Sequence, residues 1–354
     1  MKPPELSLAL IGFGNVGRRF VRLLDEVADR LDFSWRLVAI GTRHHGSVID
    51  ANGIDATRAA TIVESNHSLD RLDPDPDERS GLDVVRQTAD LLSEEASEGR
   101  LVVVETTALD IDRGEPARTH VRAALEGLAH VVTANKGPAA FAYAELDALA
   151  ESVDRVFFFE GAVMDGVPVF NLVRETMPGV VVNGFRGVVN TTCHYMLSSM
   201  EHGTSPDDAV LDMQARGIAE ADPSHDIDGW DAAAKAAALV NVLMGGRITP
   251  HEVSRTGIRN ISGREVAEAL KRGRRIRLVA SASKRGGRLD VRVEPELLDP
   301  VDPLASLGAL ENALYLHTDL LGDVGIVQRT SSLTQTAYAL VSDLSHISQR
   351  LQEL

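Results

Sequence analysis

From Gly217 to Lys235 the chain reads G-I-A-E-A-D-P-S-H-D-I-D-G-W-D-A-A-A-K. Carboxylates stand at Glu220, Asp222, Asp226, Asp228 and Asp231, and a single lysine, Lys235, closes the stretch. Asp231 and Lys235 are four residues apart, so a helix puts them on one face, acid before base. Asp222-Pro223 and Asp228-Gly229 are turn dipeptides, which predicts loop in the first half and helix in the second. A solvated ion pair on a surface helix is the usual meaning of such spacing. Here the helix continues Ala-Ala-Ala-Leu-Val-Asn-Val-Leu-Met, apolar nearly all round and therefore buried. A lysine carried into a buried helix needs a partner or a task.

Elements that could position this acid–base pair begin at the N-terminus. Leu6 to Ile11 is a short apolar run, a buried strand. Gly12-Phe13-Gly14-Asn15-Val16-Gly17 follows, and then the amphipathic Arg18-Arg19-Phe20-Val21-Arg22-Leu23-Leu24. Strand, G-x-G-x-x-G and helix in this order point to a dinucleotide site. The glycines permit the tight turn and close backbone approach to a pyrophosphate, and the helix N-terminus favours its charge. After the second strand, Arg36 to Ile40, an NAD-selective fold usually has an acid for the ribose hydroxyls. This chain has Gly41-Thr42-Arg43-His44-His45, with no carboxylate until Asp50. Arg43 can meet a 2′-phosphate, so NADP is the expected cofactor and NAD the alternative. No further ligand spacing supports a metal at His44 and His45.

Leu101 to Glu105 predicts another buried strand, ending at Thr106-Thr107 where the ribose–nicotinamide portion would pass. Pro116 to Ala129 reads as helix, and His130 to Thr133 as a strand leading to Ala134-Asn135-Lys136-Gly137. Lys136 is thus placed at the carboxyl end of a strand, where such sheets bind ligands. The alternation predicts an α/β class: an N-terminal Rossmann-type, doubly wound parallel sheet over residues 1–140. The acidic, proline-broken run Asp70 to Ser80 is expected to be a surface loop.

The pattern changes at Val156-Phe157-Phe158-Phe159-Glu160, which is followed by a glycine-rich turn. Residues 141–327 are expected to form a second domain, of α+β type. The amphipathic helix Thr334 to Leu351 is expected to pack back on the first domain, which residues 328–354 would complete. Glu160 and backbone carbonyls of the turn could hold a hard monovalent cation. A structural glutamate bonding backbone amides is the commoner meaning of such a residue. Val180 to Asn190 predicts a strand and Thr192 to Met200 a helix. Alternating strands follow at Ile276–Ala282, Leu289–Glu294, Ala313–Thr318 and Gly325–Arg329.

Composition bounds the rest. With 354 residues the chain can bury two cores, and 44% hydrophobic with 25% charged residues is ordinary for a globular protein. No apolar run approaches the roughly 18 residues of a membrane span, and no signal peptide is expected before the first strand. One cysteine, Cys193, excludes an internal disulfide and a multi-cysteine metal site. The expected compartment is the cytoplasm. The formal charge of −16 argues against a nucleic-acid surface. Lysine occurs only at Lys2, Lys136, Lys235, Lys271 and Lys284, while acids are plentiful. This suggests a salt-adapted, halophilic protein, because an acidic surface repels itself at low ionic strength.

Taken together, these residues resemble homoserine dehydrogenase over essentially the whole chain. The most specific piece is Gly217, Glu220-Ala221-Asp222-Pro223, Asp226, Gly229-x-Asp231 and Lys235. Gly12-x-Gly14-x-Val16-Gly17, Ala134-Asn135-Lys136, Glu160 with Val163 and Gly166-Val167-Pro168, Asp302-Pro303-Leu304-Ala305, Thr336-Ala337-Tyr338 and Ser342-Asp343-Leu344 follow in the family's order. The chain looks like the short form, without a regulatory or kinase domain. The resemblance implies NAD(P)-dependent oxidation of L-homoserine to L-aspartate 4-semialdehyde, or the reverse, by a homodimer in threonine and methionine biosynthesis. It implies Lys235 as the acid/base that moves the hydroxyl proton, with Lys136 as the neighbouring cation that suits it to neutral pH. Glu220 and Asp231 would bind the substrate ammonium. Glu160 with the backbone of Val163, Asp165 and Val167 matches the family's sodium site.

The chain also departs from the family. Asn190-Thr191-Thr192-Cys193-His194-Tyr195 stands where relatives read Asn-Gly-Thr-x-Asn-Tyr. Gly322-Asp323-Val324-Gly325 is followed by Ile326-Val327-Gln328-Arg329 rather than Gly-Ala-Gly, and Thr42-Arg43 replaces a frequent acid. The competing readings are a diverged amino-acid dehydrogenase, an aspartate-semialdehyde-type enzyme using Cys193 as nucleophile, and a non-catalytic NADP-binding regulator. Retention of Glu220, Asp231, Lys235 and Lys136 together argues against the last.

Overall fold

Six short strands within the first 160 residues, four of them rich in Val, Leu and Ile, assemble into one sheet. They are β1 (Glu5–Ile11), β2 (Ser34–Gly41), β3 (Ser47–Ile49), β4 (Leu101–Glu105), β5 (His130–Thr133) and β6 (Phe157–Phe158), in the order β3-β2-β1-β4-β5-β6. In the computed structural model, which describes residues 3–73, 76–215 and 222–353, only the β2–β3 pairing is antiparallel among these strands. Leu8 lies opposite Leu37 on one side and Val102 on the other. Each is at most 1% exposed, as expected of parallel strands covered by helices on both faces. Full burial of each such side chain contributes about 1.5–3 kcal/mol. The chain leaves β1 toward β2 on one side and returns to β4 on the other, so the order reverses between β1 and β4. Ligands bind such sheets outside the carboxyl ends of the strands at this reversal.

The chain divides into two compact units, one of Met1–Pro168 with Ser332–Leu354 and one of Val169–Ser331. The first therefore extends past the expected limit at residue 140. The Gly137–Ser152 helix feeds β6, the sixth strand of the same sheet. The aromatic run Phe157–Phe159, read in the sequence as the start of a new domain, instead closes the first: Phe159 packs against Phe157 and edge-on against Tyr143. The C-terminal helix, Leu333–Glu353, buries Ala337, Leu340, Val341, Leu344 and Ile347 in this core, as its periodicity predicts.

The second unit is built on β7 (Val182–Val188), β8 (Ser254–Arg255), β9 (Arg275–Arg285), β10 (Arg288–Leu298), β11 (Asn312–Thr318) and β12 (Asp323–Gln328), ordered β12-β11-β7-β9-β10-β8. All pairings are antiparallel except the two-residue contact of β8 with β10. The Thr191–Glu201 helix lies against β9, fixed by Glu201, whose carboxylate pairs with Arg275 and with the fully buried Arg277 (2.7 Å). The Trp230–Leu243 helix is buried from Ala232 to Ala234 and again from Ala236 to Asn241. Its alanines allow close backbone approach, while Asn241 satisfies its amide on both the N–H and the carbonyl of Ile248, each at 2.9 Å. Among the described residues, no helix is long and apolar enough to cross a membrane.

Candidate functional site

In the first unit the glycine-rich turn lies at the carboxyl end of β1. Gly12 has φ +87°, in the left-handed region, and a Cβ there would stand 2.6 Å from the Thr106 carbonyl carbon. Both facts demand glycine. Gly17 admits no side chain either, since its Cβ would meet the Gly12 carbonyl at 2.8 Å. Gly14 differs: a Cβ would meet nothing within 4 Å. Gly14 is also the N-cap of the Asn15–Val27 helix, and no side chain caps that end. Helix amides left uncapped beside open space form an anion-binding end. Phe13 is buried below the turn, its carbonyl accepting from Arg18 (2.9 Å), while Asn15 accepts from the same guanidinium (2.8 Å). Val16 packs on the core.

Beside the turn, at the end of β4, Thr106 donates its amide to Ile11 (2.7 Å) and its hydroxyl to the Gly12 carbonyl (2.5 Å). Thr107 and Thr133 converge on Glu105, a fully buried carboxylate that accepts the Thr107 amide (3.1 Å), the Thr107 hydroxyl and the Thr133 hydroxyl (3.1 Å). His120 lies 3.6 Å away. Asn135 continues the network, donating to the Thr107 carbonyl (3.0 Å) and accepting from the Gly137 amide (2.8 Å). Lys136 is thereby held, half-buried, as the N-cap residue of the Gly137–Ser152 helix. Sequence reasoning passed over Glu105. Its signal was an acid closing an otherwise apolar strand, since a carboxylate is buried only where hydrogen bonds compensate it.

Past β2, Thr42 folds its loop by bonding Gly46 (2.8 Å) and the His45 amide (2.8 Å). Arg43 projects outward and makes no hydrogen bond or ion pair with the described residues. Among the described residues no three His, Cys, Asp or Glu side chains gather as metal ligands. Glu160 is 2% exposed, in a single turn of 3-10 helix, and its amide donates to the buried Asp343 carboxylate at 3.0 Å. Asp165 has φ +49°, and its carboxylate accepts from Thr336 (3.0 Å). Val163 is buried, and the Val167 amide donates to Met164 (3.0 Å).

The second unit sorts the acids of the opening motif. Glu220 lies outside the described residues. Asp222 is exposed and accepts the Ser224 amide (3.0 Å), and hydrogen bonding from the Ser224 side chain, with that amide second, holds its carboxyl below the usual range. Asp228 is lowered by a bidentate pair with Arg259 at 2.7 and 2.9 Å. Both are engaged by partners other than Asn190 and Lys235. Asp226 and Asp231 instead converge on Asn190, which donates to Asp226 Oδ1 (2.6 Å) and Asp231 Oδ2 (2.8 Å). Lys235 Nζ lies 3.2 Å from Asp231 Oδ2 and donates to the Val189 carbonyl (2.6 Å). The predicted pair therefore forms, on side chains each 16% exposed. Among the described residues of this unit, the charge paired with Lys235 is the Asp231 anion. Lys136, expected as its cationic neighbour, belongs to the other unit.

A short Ser224–Ile227 helix and Gly229, at φ +81°, deliver Asp231 to the first turn of the Trp230–Leu243 helix. The Arg255 guanidinium stacks 3.7 Å from the Trp230 ring centroid and donates to the Asp228 carbonyl, which pins that turn. Thr191 is accommodated as the first residue of its helix and accepts Asn312 (2.8 Å). Gly322, φ +69°, turns the β11–β12 hairpin. Cys193 is fully buried, its Sγ 3.0 Å from the Asp226 carbonyl, and burial, aided by the Asp226 and Asp231 charges, pushes its thiol well up. A thiol so placed is a poor nucleophile, which removes the reading built on Cys193.

The NAD-binding domain profile of homoserine dehydrogenase matches residues 12–160, and the homoserine dehydrogenase profile matches residues 168–345. An NAD(+)-dependent homoserine dehydrogenase of Pseudomonas canavaninivorans is 36% identical over 98% of this chain and 97% of its own length. A homoserine dehydrogenase of Methanocaldococcus jannaschii is 35% identical over 97% of this chain and 98% of its own. A solved hyperthermophilic archaeal homoserine dehydrogenase mutant in complex with NADPH has a TM-score of 0.80 at 29% identity, covering 98% of each chain. The chain belongs to the homoserine dehydrogenase family of nicotinamide-dependent oxidoreductases.

Proposed function

We propose that the chain oxidises L-homoserine to L-aspartate 4-semialdehyde, and runs the reverse, with Lys235 as acid/base and NADP as the preferred cofactor. The observation that carries this is the Lys235–Asp231 pair at 3.2 Å on a nearly buried helix, with Asn190 and Asp226 attached. A bound nicotinamide supplies a two-electron hydride acceptor, so oxidation of the alcohol carbon must also release one proton. Lys235 Nζ takes that proton from the hydroxyl oxygen as the carbonyl forms, and returns it in reduction. Glu220 and Asp231 hold the substrate ammonium and so fix which carbon faces the ring. Lys136, at the carboxyl end of β5, is the second catalytic lysine of this reading and borders the cofactor.

The turn fits a dinucleotide: Gly12 and Gly17 leave no room for side chains, and the helix end at Gly14 is uncapped. Gly12, Phe13, Gly14, Asn15, Val16 and Gly17 would cradle the pyrophosphate, with Thr106 and Thr107 beyond it. Arg43, exposed and without a partner among the described residues, supports selection of a 2′-phosphate. NAD is the alternative, and the relatives' names include both cofactors. Glu160 and the carbonyls of Val163, Asp165 and Val167 are oxygen donors suited to sodium, and two buried carboxylates, Glu160 and Asp343, favour a cation there. The reading also includes a cytoplasmic, salt-adapted homodimer, and exposed Val181, Leu320 and Leu321 on the second unit offer apolar surface for a partner copy.

The test is absorbance of reduced nicotinamide after mixing protein with L-homoserine and NADP or NAD, in molar salt and in dilute buffer. Reduction that is faster with NADP and in salt supports each part. Cofactor binding without reduction in any salt would favour the regulator.

A further inference from the structure

Asn190, just beyond β7, does three things at once. It is 4% exposed. Its Oδ1 accepts the Cys193 amide at 2.8 Å and so caps the Thr191–Glu201 helix. Its Nδ2 donates to Asp226 Oδ1 at 2.6 Å and to Asp231 Oδ2 at 2.8 Å. The residue before it, Val189, supplies the carbonyl that receives Lys235 Nζ at 2.6 Å. An amide side chain has two N–H donors in fixed directions and no charge, and here each donor meets a different carboxylate. The two carboxylates come from separate segments and lie on one amide nitrogen, and like charges so close repel.

We propose that Asn190 is a positioning residue, which clamps Asp226 to Asp231 and thereby sets the carboxylate face that Lys235 and the substrate ammonium share. The inference deepens the proposed reading of this site and rests on it. Capping alone does not account for the residue. Serine and aspartate cap helices about as well as asparagine, yet serine cannot reach both acids and aspartate has no N–H to give. Among the described residues, the titratable groups around Asn190 include Asp226 on the Ser224–Ile227 helix, Asp231 and Lys235 on the Trp230–Leu243 helix, and Cys193 and His194 on the helix it caps. Asp228 is drawn away by Arg259.

The experiment compares wild type with Asn190→Asp and Asn190→Ser in steady-state oxidation of L-homoserine from pH 5 to 9, with melting midpoints over the same range. Both variants keep the cap. Asn190→Ser is expected to lose on the order of 100-fold in kcat/KM, the scale of a roughly 1 Å misplacement. Asn190→Asp is expected to lose more at pH 8, and its rate relative to wild type to climb as pH falls, because a protonated carboxyl recovers one donor. Its melting midpoint should likewise fall below wild type at pH 8 and approach it near pH 5. Rates within about threefold of wild type, a flat pH ratio and equal midpoints would reduce Asn190 to a cap and overturn the proposal. A wild type inactive on L-homoserine would sink the substrate assignment instead. The midpoints would still decide the clamp, since they need no turnover.

Discussion

The Gly12–Gly17 turn and the Asp222–Lys235 segment both prepare a site for a ligand, but by opposite means. The turn works through backbone: its side chains are absent or point elsewhere, and its features are a left-handed glycine, a contact that admits no Cβ and an uncapped helix end. The acidic segment works through side chains from separate places. Asn190 comes from the end of β7, Asp226 from a short helix, and Asp231 and Lys235 from a buried one. A backbone site is local in sequence, so its residues are contiguous. A side-chain site is assembled by packing, and only the pair on one helix announces itself by spacing.

The largest expected effect separates chemistry from binding. Lys235→Ala should lower kcat about 10²–10⁴-fold, the usual contribution of an acid/base, while cofactor affinity measured by nicotinamide fluorescence stays near wild type. Loss of cofactor binding in that variant would break the division between the two regions. Gly12→Val is the converse. It places a branched side chain at φ +87° and against the Thr106 carbonyl, costing about 1–3 kcal/mol of strain. Cofactor affinity should fall at least tenfold, and the melting midpoint by several degrees.

Acid should weaken both units. His130 is buried and accepts the Val156 amide (3.1 Å), and burial lowers its pKa to about 3. His194, bonded to the Glu311 carbonyl, is lowered by burial to about 4. Both are neutral when folded and protonate near 6.5 when unfolded. The unfolded chain therefore binds more protons below pH 6.5, and stability is lost as pH falls from 6.5 toward 4. Over that range the loss should reach roughly 5 kcal/mol for the two sites together, at up to about 1.4 kcal/mol per unit and site. His130→Gln should flatten the slope of melting midpoint against pH for its part. An unchanged slope would show that other groups dominate. The smallest effect is the subtlest: Arg43→Ala should lower the NADP-to-NAD ratio of kcat/KM about tenfold, the worth of one charged hydrogen bond. No change would leave the glycine turn neutral between the two cofactors.

Much of the fold was readable because periodicity and strand composition are local. The buried runs of β1, β4 and β5, the late antiparallel strands and the C-terminal helix fall near their expected places. The domain boundary was not, because the aromatic strand β6 adds to a sheet whose other strands lie far back in the chain. Of the acids, Asp231 was legible from its spacing to Lys235. The fates of Asp222 and Asp228 were not, since they depend on Ser224 and on the distant Arg259. Glu105 and Asn190 were seen only as the end of a strand and as part of a motif.

The sequence by itself determined that a glycine turn follows the first strand, that Asp231 and Lys235 share a helical face, and that this helix is too apolar to lie on the surface. Those properties follow from dihedral preference and periodicity, which act over a few residues. Tertiary structure decided which carboxylates meet Asn190, which are drawn off to arginines or caps, and that Cys193 is sealed behind Asp226. Those outcomes depend on contacts between residues tens of positions apart, and such distances are set only when the sheets and helices pack.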